Sequence, residues 1–325
     1  MRDFSGKIAV VTGGGSGIGR ELVRQLVAEG CHVAIADVSA SGMAETERRC
    51  REDGMPQGTR ILTVVTDVSQ EDQLELLRDE VAREFRVPHV NLLINNAGIG
   101  AGGSMFLSGR EEWERTFAIT FSGVYLGTRV FLPAVVASDE GWIVNVSSVN
   151  GFWATSGGSN PNSAYATAKF AVKGFTEALV CDLKVNAPHV GCSLVMPGVI
   201  GTDIFANSSR IAVGREDETL PTADELAAMR SRFARRGIDV AAMSNEDVIA
   251  LETRTSDAYR TTAPTSAAEA ATIILDAVRE GRWRVLVGED AHELDAKVRA
   301  EPESAYDPDF YVLFKQPGLV SQRAK

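Results

Sequence analysis

The sequence predicts an α/β fold: a doubly wound parallel sheet with helices on both faces. Three observations carry this. Short β-branched runs alternate with helical patterns along most of the 325 residues. The first run leads into a glycine-rich turn, TGGGSGIG (12–19), that opens a helix. No Pro/Gly/Ser linker, internal repeat or low-complexity tract divides the chain, so residues 1–325 read as one domain. Strict strand–helix alternation favours parallel strands, because each right-handed crossover lays a helix back onto the sheet.

KIAVVT (7–12) is a short apolar run, as a strand buried on both faces requires. From Ile18 to Glu29 a helical pattern sets Leu22, Val23, Leu26 and Val27 on one stripe, and Gly30 can close it. HVAIAD (32–37) is the second strand, a helix follows over 41–53, and RILTVVTD (60–67) is the third strand. Ser69 suits the N-cap of a helix over 70–86 with an acidic first turn. VNLLIN (90–95) is the fourth strand, and a long helix over 111–137 carries Trp113, Phe117, Phe121, Val124 and Phe131. WIVNVS (142–147), a helix over 162–185, VGCSLVM (190–196) and WRVLVG (283–288) complete a seven-strand sheet. Two segments depart from this rhythm. Residues 203–262 read as polar helical pieces, a substrate lid region. Residues 289–325 read as a C-terminal extension; its Tyr306, Phe310, Tyr311 and Phe314 are expected to pack on their own or a neighbouring subunit near the substrate cleft, since disordered tails are poor in aromatics.

Hydrophobic residues make up 44%, enough for a sizeable core and too many for disorder. A formal net charge of −11 argues against a nucleic-acid partner, which needs a concentrated basic face. The densest basic cluster, RSRFARR (230–236), reads as a solvated helix face. Cys31, Cys50, Cys181 and Cys192 lack metal-ligand spacing, and His32, His89, His189 and His292 are scattered, so no metal is expected. The chain enters a strand at once, without a signal-peptide pattern, and no apolar run reads as long enough to span a bilayer. A cytoplasmic protein with no membrane partner is expected.

The glycine turn carries the first chemistry. Gly13 can make the turn, Gly17 can let backbone approach a pyrophosphate, and Gly19 can let helix and strand pack closely. The free N–H groups and dipole of the helix N-terminus favour phosphate charge. Asp37 ends the second strand, 18 residues after Gly19. A carboxylate there can accept hydrogen bonds from a ribose 2′- and 3′-OH and repels a 2′-phosphate; Val38, not an arginine, follows it. NAD is therefore expected over NADP.

With these residues in place the chain resembles the short-chain dehydrogenases/reductases, strongly over 1–202 and loosely over 263–288. TGGGSGIG (12–19) is similar to the family's TGxxxGxG, Asp67 in TDVS to its adenine-binding aspartate, and NNAG stands at 95–98. NVSSVNG (145–151) resembles its serine segment, Tyr165–Lys169 its YxxxK, and MPGVIGTD (196–203) its PG motif. The resemblance implies a Rossmann-type sheet and a cofactor held by Gly13, Ser16, Gly17, Ile18, Gly19, Asp37, Asp67, Val68, Asn95, Ala97, Gly98, Tyr165, Lys169, Pro197, Ile200 and Thr202. Ile200 and Thr202 would meet the nicotinamide carboxamide. It also implies a homotetramer or homodimer packed through the helices near 111–137 and 162–185.

Oxidising an alcohol by hydride transfer requires removal of its hydroxyl proton, and free tyrosine, with a pKa of about 10, is a poor base at neutral pH. A nearby ammonium stabilises phenolate, and residues four apart share a helix face, so Lys169 can tune Tyr165. In the family the lysine also bonds the nicotinamide ribose, and a serine orients the substrate oxygen; here that is Ser148, three residues before Gly151, with Ser147 structural. The spacing from Ser148 to Tyr165 is enlarged by WATSGGSNPNS (153–163), a candidate specificity loop in which Phe152 and Trp153 read as packing. One departure stands out. Aligning AITFSGVY (118–125) on Gly123 puts Thr120 where the family carries an asparagine of its proton relay. A hydroxyl can hold a relay water but lacks the amide's second donor. The expected function is hydride transfer between NAD(H) and a secondary alcohol or ketone, moderately apolar or cyclic. The alternatives are an NADP-dependent or sugar-directed reductase, or a protein that senses NAD(H) without turnover.

Overall fold

The computed structural model of the protein describes residues 1–311 apart from 102, 107, 156, 158–160, 213–219 and 236–237. Seven parallel strands form one sheet: β1 (Ile8–Thr12), β2 (His32–Asp37), β3 (Ile61–Val65), β4 (Leu92–Asn95), β5 (Gly141–Val146), β6 (Val190–Pro197) and β9 (Arg284–Val287), in the order β3-β2-β1-β4-β5-β6-β9. Two short strands, β7 (Ile200–Gly201) and β8 (Thr265–Ser266), pair separately and were not expected from the sequence. Each β1 residue is buried, and successive side chains enter opposite cores. Ala9 and Val11 meet Leu22 and Leu26 of α1 (Gly17–Ala28) and Ile274 of α10 (Ala267–Arg279). Ile8 and Val10 meet Leu74 and Leu77 of α3 (Glu71–Phe85) and Phe131 of α5 (Gly123–Val136). A helix, α2 (Ala40–Glu52), links β2 to the edge strand β3.

The expected long helix is interrupted. α4 (Arg110–Phe117) passes into a π-helical turn, Ala118–Ser122, before α5. The run Arg110–Val136 is also long and apolar enough to cross a membrane, which corrects the expectation that no segment is; half of its apolar stretch is buried, with Phe131 and Val135 inside the core. An aromatic row on the same helices, Trp113–Phe117–Phe121, continues to Phe175 of α6 (Ser163–Asn186).

Residues 203–262 hold α7 (Ile204–Ala212), α8 (Ala223–Arg235) and α9 (Asn245–Thr262). Their basic cluster is not simply solvated: Phe233 is buried with Val240 and Val248, and Arg230 donates to Val240 O at 2.6 Å and Met243 O at 2.7 Å. The extension forms α11 (Glu289–Ala300) and a 3₁₀ turn at Pro302–Ser304. It then packs on its own subunit. Trp153 Nε1 donates to Ala305 O at 2.6 Å, and the indole lies 6.4 Å from the Phe310 ring and 6.0 Å from the Tyr311 ring. Phe314 lies outside the described residues.

Candidate active site

Crossovers leave β1 and β4 in opposite directions along the sheet, so a crevice opens at their carboxyl ends. The glycine turn forms one wall. Gly13 has φ +68°, and a Cβ there would stand 2.9 Å from Ala97 Cα. At Gly19 a Cβ would lie 2.1 Å from Gly13 O, so only glycine lets α1 approach this closely. Gly17 faces Thr202 across the crevice, and the Ser16 hydroxyl accepts from Asn207 Nδ2 at 3.2 Å. The opening N–H groups of α1 have no partner within the helix, which suits an anion. Backbone thus stands where side chains would collide, a cradle that fits a dinucleotide pyrophosphate.

Asp37 Oδ2 accepts the Gly15 N–H and Oδ1 the Ser39 N–H, both at 2.9 Å. Burial raises its pKa, and those N–H groups act against the rise. Arg20, close by, donates to Thr46 Oγ1 at 3.0 Å and to Gly15 O. Asp67 Oδ1 accepts the Ser69 N–H at 2.9 Å and its hydroxyl at 2.7 Å, while Val68 packs under Gly123. Asn95 differs from the expected cofactor contact: its Nδ2 donates to Thr128 Oγ1 at 3.0 Å and Asn145 Oδ1 at 2.8 Å, so the side chain ties α5 to β5 inside the core. Asn96, not singled out from the sequence, lines the crevice with Gly98 and donates to Thr12 O at 3.0 Å. Ala97 bonds through its N–H to Thr12 Oγ1 at 3.1 Å.

Beyond the crevice lies a cavity of about 190 Å³, walled by Ile18, Gly98, Ser148, Tyr165, Lys169, Pro197, Ile200 and Thr202 among others. Buried alanines 164, 166 and 168 let α6 lie close to the sheet, and Ser147 Oγ pins it by donating to Lys169 O at 2.8 Å. Ser147 is thereby structural. Ser148 Oγ accepts the Asn150 N–H at 3.1 Å and lines the same cavity as the Tyr165 phenol. Lys169 Nζ donates to Val146 O at 2.7 Å and lies 5.6 Å from the centre of the Tyr165 ring. Burial pushes the Tyr165 phenol up, the neighbouring Ser148 side chain opposing the rise, and burial lowers Lys169 to about 7. Both groups are enclosed, and enclosure disfavours the charged form of each.

Thr120 sits fully buried in the π-helical turn, close to Gly98 and Lys169. Its hydroxyl accepts the Ile99 N–H and donates to Ile99 O, both at 3.1 Å. Its only proton is therefore committed to backbone, which leaves the hydroxyl oxygen an acceptor only toward any relay water.

Three further residues escaped the sequence reading. Asn150 Nδ2 donates to Trp153 O and Thr155 O, both at 2.8 Å, organising the enlarged loop; residues 156 and 158–160 of that loop lie outside the described residues. Ser208 of α7 accepts the Gly100 N–H at 2.8 Å. Tyr259 of α9 lines the cavity; burial and then neighbouring Tyr165 raise its phenol, while an Ile200 N–H bonded to its oxygen opposes the rise. A lone aromatic in a polar helical stretch was the one available signal for Tyr259.

The family model for short chain dehydrogenases matches residues 7–212. The SadH protein of Mycobacterium tuberculosis, an oxidoreductase by name, is 38% identical over 219 residues, 67% of this chain and 75% of that protein. Human epidermal retinol dehydrogenase 2 is 33% identical over 205 residues, 63% of each. A Burkholderia phymatum short-chain dehydrogenase/reductase solved in complex with NAD superposes with a TM-score of 0.73 at 30% identity, covering 95% of this chain and 98% of that one. A family model spanning well over half of the chain, together with a shared architecture along nearly all of it, makes this protein an oxidoreductase of the short-chain dehydrogenase/reductase family.

Proposed function

We propose that this protein is an NAD-dependent dehydrogenase or reductase of secondary alcohols and ketones. The observation that carries this is the convergence of Ser148, Tyr165 and Lys169 on one cavity that opens onto the glycine cradle, with Lys169 Nζ 5.6 Å from the centre of the Tyr165 ring. The nicotinamide, when bound, takes up or gives the hydride of the carbinol carbon. Ser148 orients the substrate oxygen, and the Tyr165 oxygen takes the hydroxyl proton in oxidation or returns it in reduction. Lys169 stays close enough to stabilise phenolate and would hold the nicotinamide ribose. Asp37 supports NAD over NADP: its carboxylate borders the turn and would repel a 2′-phosphate, while Arg20 is occupied by backbone and Thr46. Val149, Val199 and Ile204 in the cavity wall favour a moderately apolar or cyclic substrate, in keeping with a relative named for retinol. A homotetramer or homodimer is the assembly we infer, as is common among such enzymes.

The test is a panel of secondary alcohols and ketones with NAD(H) and NADP(H), following reduced-nicotinamide absorbance. We expect turnover, better kcat/KM with NAD, and a loss of at least about 10²-fold in Tyr165→Phe with cofactor binding retained. Near-normal kcat in that variant would falsify the acid/base assignment. Better kcat/KM with NADP would overturn the reading of Asp37.

A further inference from the structure

The C-terminal extension reaches the cleft from behind. α11 starts two residues after β9, and its second residue, Asp290, meets the turn that leaves β6. Asp290 Oδ2 accepts the Val199 N–H at 2.7 Å. Two glycines make this approach possible: a Cβ at Gly198 would stand 2.3 Å from Oδ2, and one at Gly288 2.5 Å from Oδ1. Oδ1 is buried with no hydrogen-bond partner among the described residues. Holding a carboxylate there costs solvation that a neutral side chain would not lose. α11 is itself anchored, with Ala291 and Leu294 buried against Val149, Trp153 and Met196. The gripped segment is functional wall, because Pro197, Gly198, Val199 and Ile200 all line the cavity and lead to Thr202 opposite Gly17.

We propose that Asp290 is a positioning residue for the cofactor: by holding the Val199 N–H it fixes the Pro197–Ile200 turn against the nicotinamide end of a bound dinucleotide. It acts through the turn, without touching the reacting atoms. The adenosine and phosphate end is held elsewhere, by the glycine cradle and Asp37. The proposal rests on the dinucleotide reading above.

The test compares NAD with ADP-ribose, which keeps the adenosine and both phosphates and lacks nicotinamide. Dissociation constants are measured by calorimetry for the wild type, Asp290→Ala and Asp290→Asn. Loss of a hydrogen bond to a charged acceptor predicts that Asp290→Ala weakens NAD by about tenfold or more and leaves ADP-ribose within about twofold. Asp290→Asn keeps an oxygen for Val199 and should hold NAD within about threefold of wild type. If Asp290→Ala does not fold, Gly198→Ala displaces the carboxylate from the other side and should give the same selective loss. Unchanged NAD affinity, or equal loss of NAD and ADP-ribose, overturns the role of Asp290. A wild-type protein that binds neither ligand overturns the dinucleotide reading itself.

Discussion

At Lys169, burial sets titration more strongly than any neighbour, and it leaves a signature in stability. The ordinary lysine pKa of 10.5 is lowered to about 7 in the folded chain. Below pH 7 both folded and unfolded chains carry the proton, and the folded chain bears the full cost of the buried charge. As pH rises from 7 towards 10.5 the unfolded chain keeps a proton that the folded one has shed, so this cost disappears and stability rises. Wild type should therefore gain stability relative to Lys169→Met across that window, measured by denaturant unfolding of the cofactor-free protein at several pH values. A difference that is flat with pH would show Lys169 charged throughout. Thr120 makes a different case. Because its hydroxyl satisfies both the N–H and the C=O of Ile99, Thr120→Val strands two buried backbone groups and should cost about 1–3 kcal/mol of folding stability. Loss of turnover at unchanged stability would instead return Thr120 to the proton relay.

At the scale of elements, the loop after β5 and the extension after β9 stabilise each other. The Trp153 indole is buried between them, bonded to Ala305 O and flanked by Phe310 and Tyr311. Trp153→Ala would leave a cavity and an unpaired carbonyl, and should cost about 3–5 kcal/mol. Since the same loop leads from Ser148 through Asn150, kcat should fall as well. Equilibrium unfolding and kinetics on one preparation check both, and an unaltered unfolding midpoint would show that the extension is dispensable. The π-helical turn is the second local device. It places Thr120 toward Ile99 and Gly98, where a regular helix would carry the side chain out of register.

For the molecule as a whole, the outer faces of α4–α5 and α6 carry exposed aromatic side chains among the described residues. Tyr125 and Phe170 are each 40% exposed, beside the row of Phe117, Phe121 and Phe175. We expect copies of the chain to pair there. Phe170→Asp should shift the protein to a smaller species in sedimentation velocity at micromolar concentration, with the circular dichroism spectrum retained. An unchanged sedimentation coefficient would move the interface elsewhere.

Local chemistry determined much of this protein directly. A buried β-branched run such as IAVVT can be little but a central strand, and TGGGSGIG behind it can be little but a strand–turn–helix cradle, because each constraint acts within a few residues. The strands of the main sheet and the glycine turn were legible for that reason, whereas the Ser148, Tyr165 and Lys169 group was legible through the chain's resemblance to a family. What tertiary structure decided depends on which segments meet. Asn95 turned inward because Thr128 and Asn145 wait there, while Asn96 took the crevice. Thr120 gave its proton to a carbonyl 21 residues earlier in the chain. Tyr259 reached the cavity from a helix with no motif, and Asp290 found Val199 91 residues away. Burial, which no spacing in the sequence encodes, pushes the Tyr165 phenol up, because the walls that exclude water come from distant parts of the chain.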